Sequence, residues 1–419
     1  MENRVMNNKR NYFWNMIGSI SSSLVSTILL IFASRLLSPT SSDLFGILYS
    51  LGQQLFIIGL FQVRDYQATD VKERFSFQVY LETRVVTIVM MVVSTFVFVY
   101  LNQYSVEKTL IFLPLVLSRA VDAFSDVFQG FFQQQERSDL SGKILFFRSI
   151  VVMASFYCFL VGTHSLLIAC CGVLMLNVAL TFFLDFRYFG AVSSKLSLRL
   201  KKEDLLQVKC VLKACSPLFL SGFLITYIFN EPKIVLDRLL SAGQLPVGIQ
   251  RDFNILFMPT FIMSLLLMIL RPLITDLSRV WLRQDYQQFF KSFSRLILIL
   301  LLFGSMVLFF GYLIGTEILG YLYGVSLTAY KVEFAILLVG GILNVLASVI
   351  GNMLIIFRKQ SNVIIVYILT FLVSKLMSTR LIVNFGMLGA AYSFVISMAV
   401  FLLLSICVFL LTKKYLNEG

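Results

Sequence analysis

Charge is scarce in this chain. Of its 419 residues only 14% are Asp, Glu, Lys or Arg and 58% are hydrophobic, against roughly 25% charged and 45 to 50% apolar in soluble domains. That excludes a soluble globule and points to a polytopic membrane protein. Histidine occurs once, at His164, and the six cysteines have no C-x-x-C spacing, which excludes a zinc site or a disulfide frame. No G-x-x-x-x-G-K-[ST] stretch is present, so there is no phosphate-cradling loop of that kind for ATP. No cofactor or metal is expected, and energy is expected to come from an ion gradient or from consumption of the substrate on the far side. Nor does a small-residue cleavage site follow the first apolar run, so segment 1 is expected to stay attached.

What charge there is leans basic, with a net +13. In a soluble protein that would suggest nucleic acid. Here the Lys and Arg fall between hydrophobic segments and act as topology signals, and no nucleic-acid partner is expected. Hydropathy places twelve segments, near 12–34, 42–63, 85–102, 109–132, 145–162, 165–186, 212–235, 247–271, 292–314, 333–357, 362–383 and 386–411. Assigning the basic residues to alternate sides gives 26 on one side, Arg84 and Arg148 among them, and seven on the other, with Arg119 and Arg251 inside the membrane. The bias predicts both termini in the cytoplasm. The basic stretch Arg187 to Lys213 divides the chain into an N-terminal lobe (1–190), a linker (191–211) and a C-terminal lobe (212–419). Six segments per half make parallel repeats, and Arg35-Leu36-Leu37-Ser38 recurs in position as Arg238-Leu239-Leu240-Ser241. Charged and apolar residues alternate at helical spacing from Lys201 to Lys213, which suits either a helix on the inner leaflet or a solvated linker.

The stretch from Pro217 to Pro272 holds five of the seven prolines. Its two apolar runs are interrupted by Asn230-Glu231-Pro232-Lys233, Asp237-Arg238, Arg251-Asp252 and Pro259. Such interruptions are costly in hydrocarbon and mark a polar interior or a substrate path. Asn230-x-Pro232-Lys233, Asp237, Phe257-Met258-Pro259-Thr260-Phe261 and Arg271-Pro272-Leu273 together resemble the oligosaccharide flippases of the polysaccharide transporter family, within the multidrug/oligosaccharidyl-lipid/polysaccharide (MOP) exporter superfamily. Asn11-Tyr12 through Gly18-Ser19 and Arg64-Asp65-Tyr66-Gln67-x-x-Asp70 extend the resemblance. Glu231 departs from it, since a small residue is expected there. The resemblance implies export of lipid-linked sugar repeats across the bacterial inner membrane, with cavity-facing Lys and Arg meeting the anionic substrate.

A diphosphate cannot cross hydrocarbon unaided, so cations near the midplane are the first candidates. Arg119 lies deepest, and Asp122 and Asp126 follow at i+3 and i+7 on the same helix face. They read either as a substrate contact with ion-coupling acids or as a self-neutralising pair. Lys233, Arg251 and Lys375 are further candidate substrate contacts. Against this stand pairing of Lys233 with Glu231 or Asp237, interface anchoring of Arg251, and snorkelling of Lys375. Arg64, Asp65 and Asp70 match the family motif where a gate or an inner-face headgroup contact would sit, against which stands a simple positive-inside anchor, and Asp237 joins them as a coupling or gating candidate.

The expected fold is all-α, about twelve transmembrane helices in two six-helix lobes around a central cavity. The expected function is flipping of a polyprenyl-diphosphate-linked oligosaccharide by alternating access, without enzymatic activity. Membrane lipids are expected partners, as are the polysaccharide polymerase and glycosyltransferases of the same route. The competitors are a multidrug cation antiporter of the same superfamily and a membrane polysaccharide polymerase.

Overall fold

The computed structural model describes residues 2–70, 72–192, 202–357 and 360–418. Every regular element among them is helical: α1 (Glu2–Leu36), α2 (Pro39–Leu60), the short α3 (Val63–Thr69), α4 (Phe77–Leu101), α5 (Val106–Gln134), α6 (Ser138–Thr163), α7 (Leu166–Leu180), α8 (Arg187–Val192), α9 (Lys202–Ser241), α10 (Ile249–Leu282), α11 (Tyr286–Phe310), α12 (Thr316–Tyr323), α13 (Lys331–Ile356) and α14 (Gln360–Glu418). Two π-turns, Thr181–Phe186 and Gly311–Gly315, join α7 to α8 and α11 to α12, and a 3₁₀ turn, Thr328–Tyr330, precedes α13.

Local chemistry sets many of the starts. Serine side chains at Ser38, Ser76, Ser105 and Ser165 accept the first free amides of α2, α4, α5 and α7, and Asp285 does the same for α11. Pro39 sits in the first turn of α2, where its missing N–H costs nothing. The basic members of the sequence repeat, Arg35 and Arg238, both fall in the last turn of their helices, where a cation complements the exposed carbonyls.

Among the described residues nine stretches are long and apolar enough to span a membrane by themselves. The last, Val363–Thr412, is 50 residues long and is interrupted at Gly386 (φ 57°, ψ −128°), so it makes two crossings. Two more helices complete the set: α5, whose apolar stretch holds Arg119, Asp122 and Asp126, and α10, which contains the uncharged run Phe253–Leu270. The chain is thus an all-α polytopic membrane protein of twelve spans.

By packing it divides into two compact units, Met1–Phe223 and Leu224–Gly419, and the division falls inside α9. Six spans precede α9. In the first unit α1 and α6 pack backbone to backbone: a Cβ on Gly18 would strike the Gly142 backbone, and one on Gly142 would strike Trp14. Small residues permit such close approach in lipid, where dispersion contacts drive association. Of those nine stretches α2 is the most enclosed, 67% of its apolar window being buried, whereas the α11–α12 stretch in the second unit is 11% buried.

Four expectations need correcting. Arg84 and Arg148, counted with the basic residues of one side, lie inside α4 and α6 and are buried; hydropathy starts the segment near 85–102 just after Arg84, although a paired charge is tolerated inside a helix, and Arg148 falls within the segment near 145–162 although the count of basic residues places it outside the membrane. Residues 202–213 neither lie on the membrane as a separate helix nor form a linker: they are the first turns of α9, and Val208 and Val211 pack with Phe128, Phe132 and Phe189 in the core of the first unit. The remainder of the expected linker, 193–201, is outside the described residues. The prolines do not interrupt α9 or α10, which are helical throughout. Finally, Lys375 does not simply snorkel, as described below.

Candidate functional site

α5 carries the chemistry of the first unit. Its stripe Arg119, Asp122, Asp126 faces inward, and each aspartate is shared by two arginines. Arg119 Nη1 donates to Asp122 Oδ2 at 2.9 Å, and Arg148 Nη1, from α6, donates to Asp122 Oδ1 at 3.2 Å. Arg148 Nη2 continues to Asp185 Oδ2 at 2.7 Å and to the Thr181 hydroxyl at 2.9 Å. Both partners sit in the π-turn after α7, an irregularity that recurs at functional sites. Ser125 donates to the other Asp185 oxygen at 2.8 Å, and Asn177 Nδ2 donates to Asp122 Oδ1 at 2.8 Å.

Asp126 organises the second string. Arg64 Nη1 reaches its Oδ1 at 3.1 Å, and Arg84 Nη2 its Oδ2 at 2.7 Å. Arg64 donates further to Gln129 at 2.9 Å and Gln133 at 3.2 Å. Arg84 Nη1 donates to the carbonyls of Gly59 and Leu60, both at 2.6 Å. Those carbonyls are exposed because α2 ends there: Phe61 and Gln62 are both left-handed (φ 44° and 56°), and the last carbonyls of a helix lack intrahelical donors. Thr87 adds a hydroxyl to the Gly59 carbonyl at 2.7 Å.

These groups surround a cavity of about 380 Å³ lined by Arg64, Arg119, Arg148, Asp122, Asp126 and polar residues such as Ser22 and Gln53. The Arg119 guanidinium lies 5.3 Å from the Tyr49 ring centre and 5.9 Å from that of Phe56, a placement that holds the cation without cancelling its charge. Arg64, Arg119, Asp122 and Asp126 are therefore brought together, although the Arg64 motif and the α5 stripe stand far apart in sequence.

Asp65 and Asp70 are not part of this cavity. Asp65 is exposed. Asp70 closes the turn after α3, its carboxylate accepting from Tyr80 Oη at 2.8 Å and from the backbone amides of Arg74 (3.1 Å) and Phe75 (3.2 Å). Burial pushes its carboxyl up, but these donated bonds outweigh burial and hold it below the usual carboxylate range.

The second unit holds the other candidates. Lys375, from α14, donates to Tyr227 Oη at 2.9 Å and lies 3.2 Å from Glu231 Oε1. Glu231, the departure from the family pattern, is thus countered by Lys375 and not by Lys233. Lys233 is buried with its ammonium 4.6 Å from the Phe257 ring centre. Arg251 pairs with its neighbour Asp252 at 2.8 Å, and Asp237 is buried on α9. The side chains of Phe261 and Arg271-Pro272 are outside the described residues. Among those described, no group of three or more His, Cys, Asp or Glu is placed to hold a metal ion.

Sequence reasoning missed Arg84, Arg148 and Asp185. The signal for the arginines was their position at the edge of an apolar run; for Asp185 it was a lone carboxylate ahead of a basic stretch.

This architecture recurs in solved transporters. An inward-facing multidrug resistance MATE family transporter of the MOP superfamily matches over 95% of both chains with a TM-score of 0.71 at 14% identity. The chain has the fold of the MOP superfamily transporters. An outward-facing MATE structure matches over 98% of this chain and 96% of its own, with a TM-score of 0.59 at 15% identity. So does a MOP superfamily transporter from Pyrococcus furiosus Vc1, over 98% and 95% of the two chains, with a TM-score of 0.61 at 15% identity; reverse polarity of its binding pocket suggests a different function for that protein. No family model matches the chain, and no curated protein sequence matches it.

Proposed function

We propose that this chain is a non-enzymatic exporter of the bacterial cytoplasmic membrane, with both termini cytoplasmic, that moves a polyprenyl-diphosphate-linked oligosaccharide outward by alternating access. The observation that carries the reading is the sign of the cavity: three arginines line it, Arg64, Arg119 and Arg148, against two aspartates. An anionic headgroup finds fixed guanidinium donors there, which bind phosphate as planar forks. A cationic drug would meet an excess of like charge. Arg119 and Arg64 are the first contacts in this scheme; in the second unit Lys375, whose side chain is 43% exposed, precedes the enclosed Lys233, and Arg251 comes last because Asp252 already neutralises it. The acids Asp122, Asp126 and Asp237 are the coupling candidates.

The likeness to multidrug transporters keeps cation antiport as the competitor, and the fold serves both. In the MOP fold pocket polarity differs between proteins, so the polarity of this chain's own cavity supports the anionic cargo. The partners of such an exporter are membrane lipids and the glycosyltransferases and polymerase that act before and after it.

Cells lacking the protein are expected to accumulate lipid-linked repeat units facing the cytoplasm while synthesis of each unit continues. If single units reach the outer surface and only elongation stops, the chain is a polymerase; if purified protein in vesicles expels a cationic dye and leaves the diphosphate lipid in place, it is an antiporter.

A further inference from the structure

The two shared aspartates of the cavity are not equivalent. Asp122 sits between Arg119 and Arg148, and Arg148 continues to Asp185 behind the wall. That string holds two cations and two anions. Asp126 sits between Arg64 and Arg84, and among the described residues neither arginine pairs with a further acidic side chain. With the carboxylates ionised, the single positive charge of the cluster therefore belongs to the Asp126 string.

Arg84 has no exposed surface and does not line the cavity. Its other contacts explain how a lone cation is kept there without a second carboxylate. The Gly59 and Leu60 carbonyls at the end of α2 receive Nη1, and a helix C-terminus carries only a fraction of a negative charge. Both terminal nitrogens are thereby hydrogen-bonded, Nε alone finding no acceptor among the described residues, while most of the charge survives.

We infer that Arg84 is a specificity-determining residue: from behind the wall it neutralises Asp126 and leaves Arg64 as the uncompensated cation facing the cargo. It touches no substrate and acts by positioning and balancing Asp126. Remove it, and Asp126 and Arg64 cancel, so the polarity of the cavity is set by a residue that no ligand reaches. The assignment deepens the export reading, which supplies the anionic cargo, but it can be measured without any cargo.

In a full-length chain with its six cysteines replaced by serine, Ser22, a cavity residue, is changed to Cys. Its rates of modification by an anionic and a cationic methanethiosulfonate are then compared, each normalised to free thiol. The ratio of anionic to cationic rate is expected to fall about threefold or more in Arg84→Met, as the loss of one nearby charge in a low-dielectric wall requires. It should rise in Asp126→Asn and return to the parent value in Arg84→Met with Asp126→Asn. An unchanged ratio in folded, inserted Arg84→Met overturns the assignment, as do shifts in the same direction for both single variants. Should Arg84→Met fail to insert, the other two decide, because equal ratios in Asp126→Asn and the double variant exclude any charge effect of Arg84. Failure of the flippase assay with these ratios intact would sink the export reading and leave Arg84's role standing.

Discussion

Asp122 and Asp126 each hold two arginines, and that sharing decides how a substitution is felt. Arg119→Gln leaves Asp122 with Arg148, so the inserted protein should stay near wild-type abundance while transport per molecule falls roughly tenfold, the loss expected for one charge-assisted contact. Arg148→Gln strands Asp185, which has no exposed surface. An uncompensated buried charge costs on the order of 3 to 5 kcal/mol, so folded protein should disappear and return when Asp185→Asn is added. Quantifying inserted protein and transport for the three chains tests this, and loss of abundance in Arg119→Gln would refute the sharing scheme. The α5 stripe was legible because i, i+3, i+7 spacing fixes a face. Its partners were not, since nothing in sequence ties Arg64, Arg84 and Arg148 to two aspartates on another helix.

α14 shows what hydropathy does and does not reveal about elements. Two segments, near 362–383 and 386–411, were expected, and the chain breaks at Gly386 in a backbone region closed to side chains (φ 57°, ψ −128°). Gly386→Ala should therefore cost about 1 to 3 kcal/mol, lowering the thermal midpoint of purified protein, whereas Gly351→Ala, at a helical position with nothing within 4 Å of a new Cβ, should not. Equal midpoints for the two variants would show that the turn is unstrained. Helix ends were less legible than their existence. α4 begins at Phe77, well before its apolar run, because Ser76 caps it and Asp70 anchors the preceding turn. The prolines of α9 misled for a related reason: in a long helix, surrounding packing outweighs one lost backbone bond.

At the scale of the whole molecule, setting Arg84 and Arg148 aside as buried helix residues turns the 26-to-7 bias into 24 to 7, and the same sidedness is predicted from it. Cysteines placed at Gly243 and Ser326, exposed turns after α9 and α12, should be labelled from outside the cell, and one at Arg283, exposed after α10, should not; the reverse pattern would invert the map. The string of ion pairs in the first unit also bears on how the chain is made. Arg84 enters the bilayer with α4, about two turns into that helix, and its carboxylate arrives only with α5; until then its long side chain reaches back toward the headgroups, where a charge costs far less than at a helix centre. Formation of the Arg84–Asp126 pair is therefore delayed until α5 follows. α6 has no such delay at Asp122, which precedes it, yet Arg148 is complete only once the π-turn brings in Asp185. Synthesis therefore brings each buried arginine into the bilayer ahead of a carboxylate it needs, and the two strings close only when α5 and the π-turn are in place.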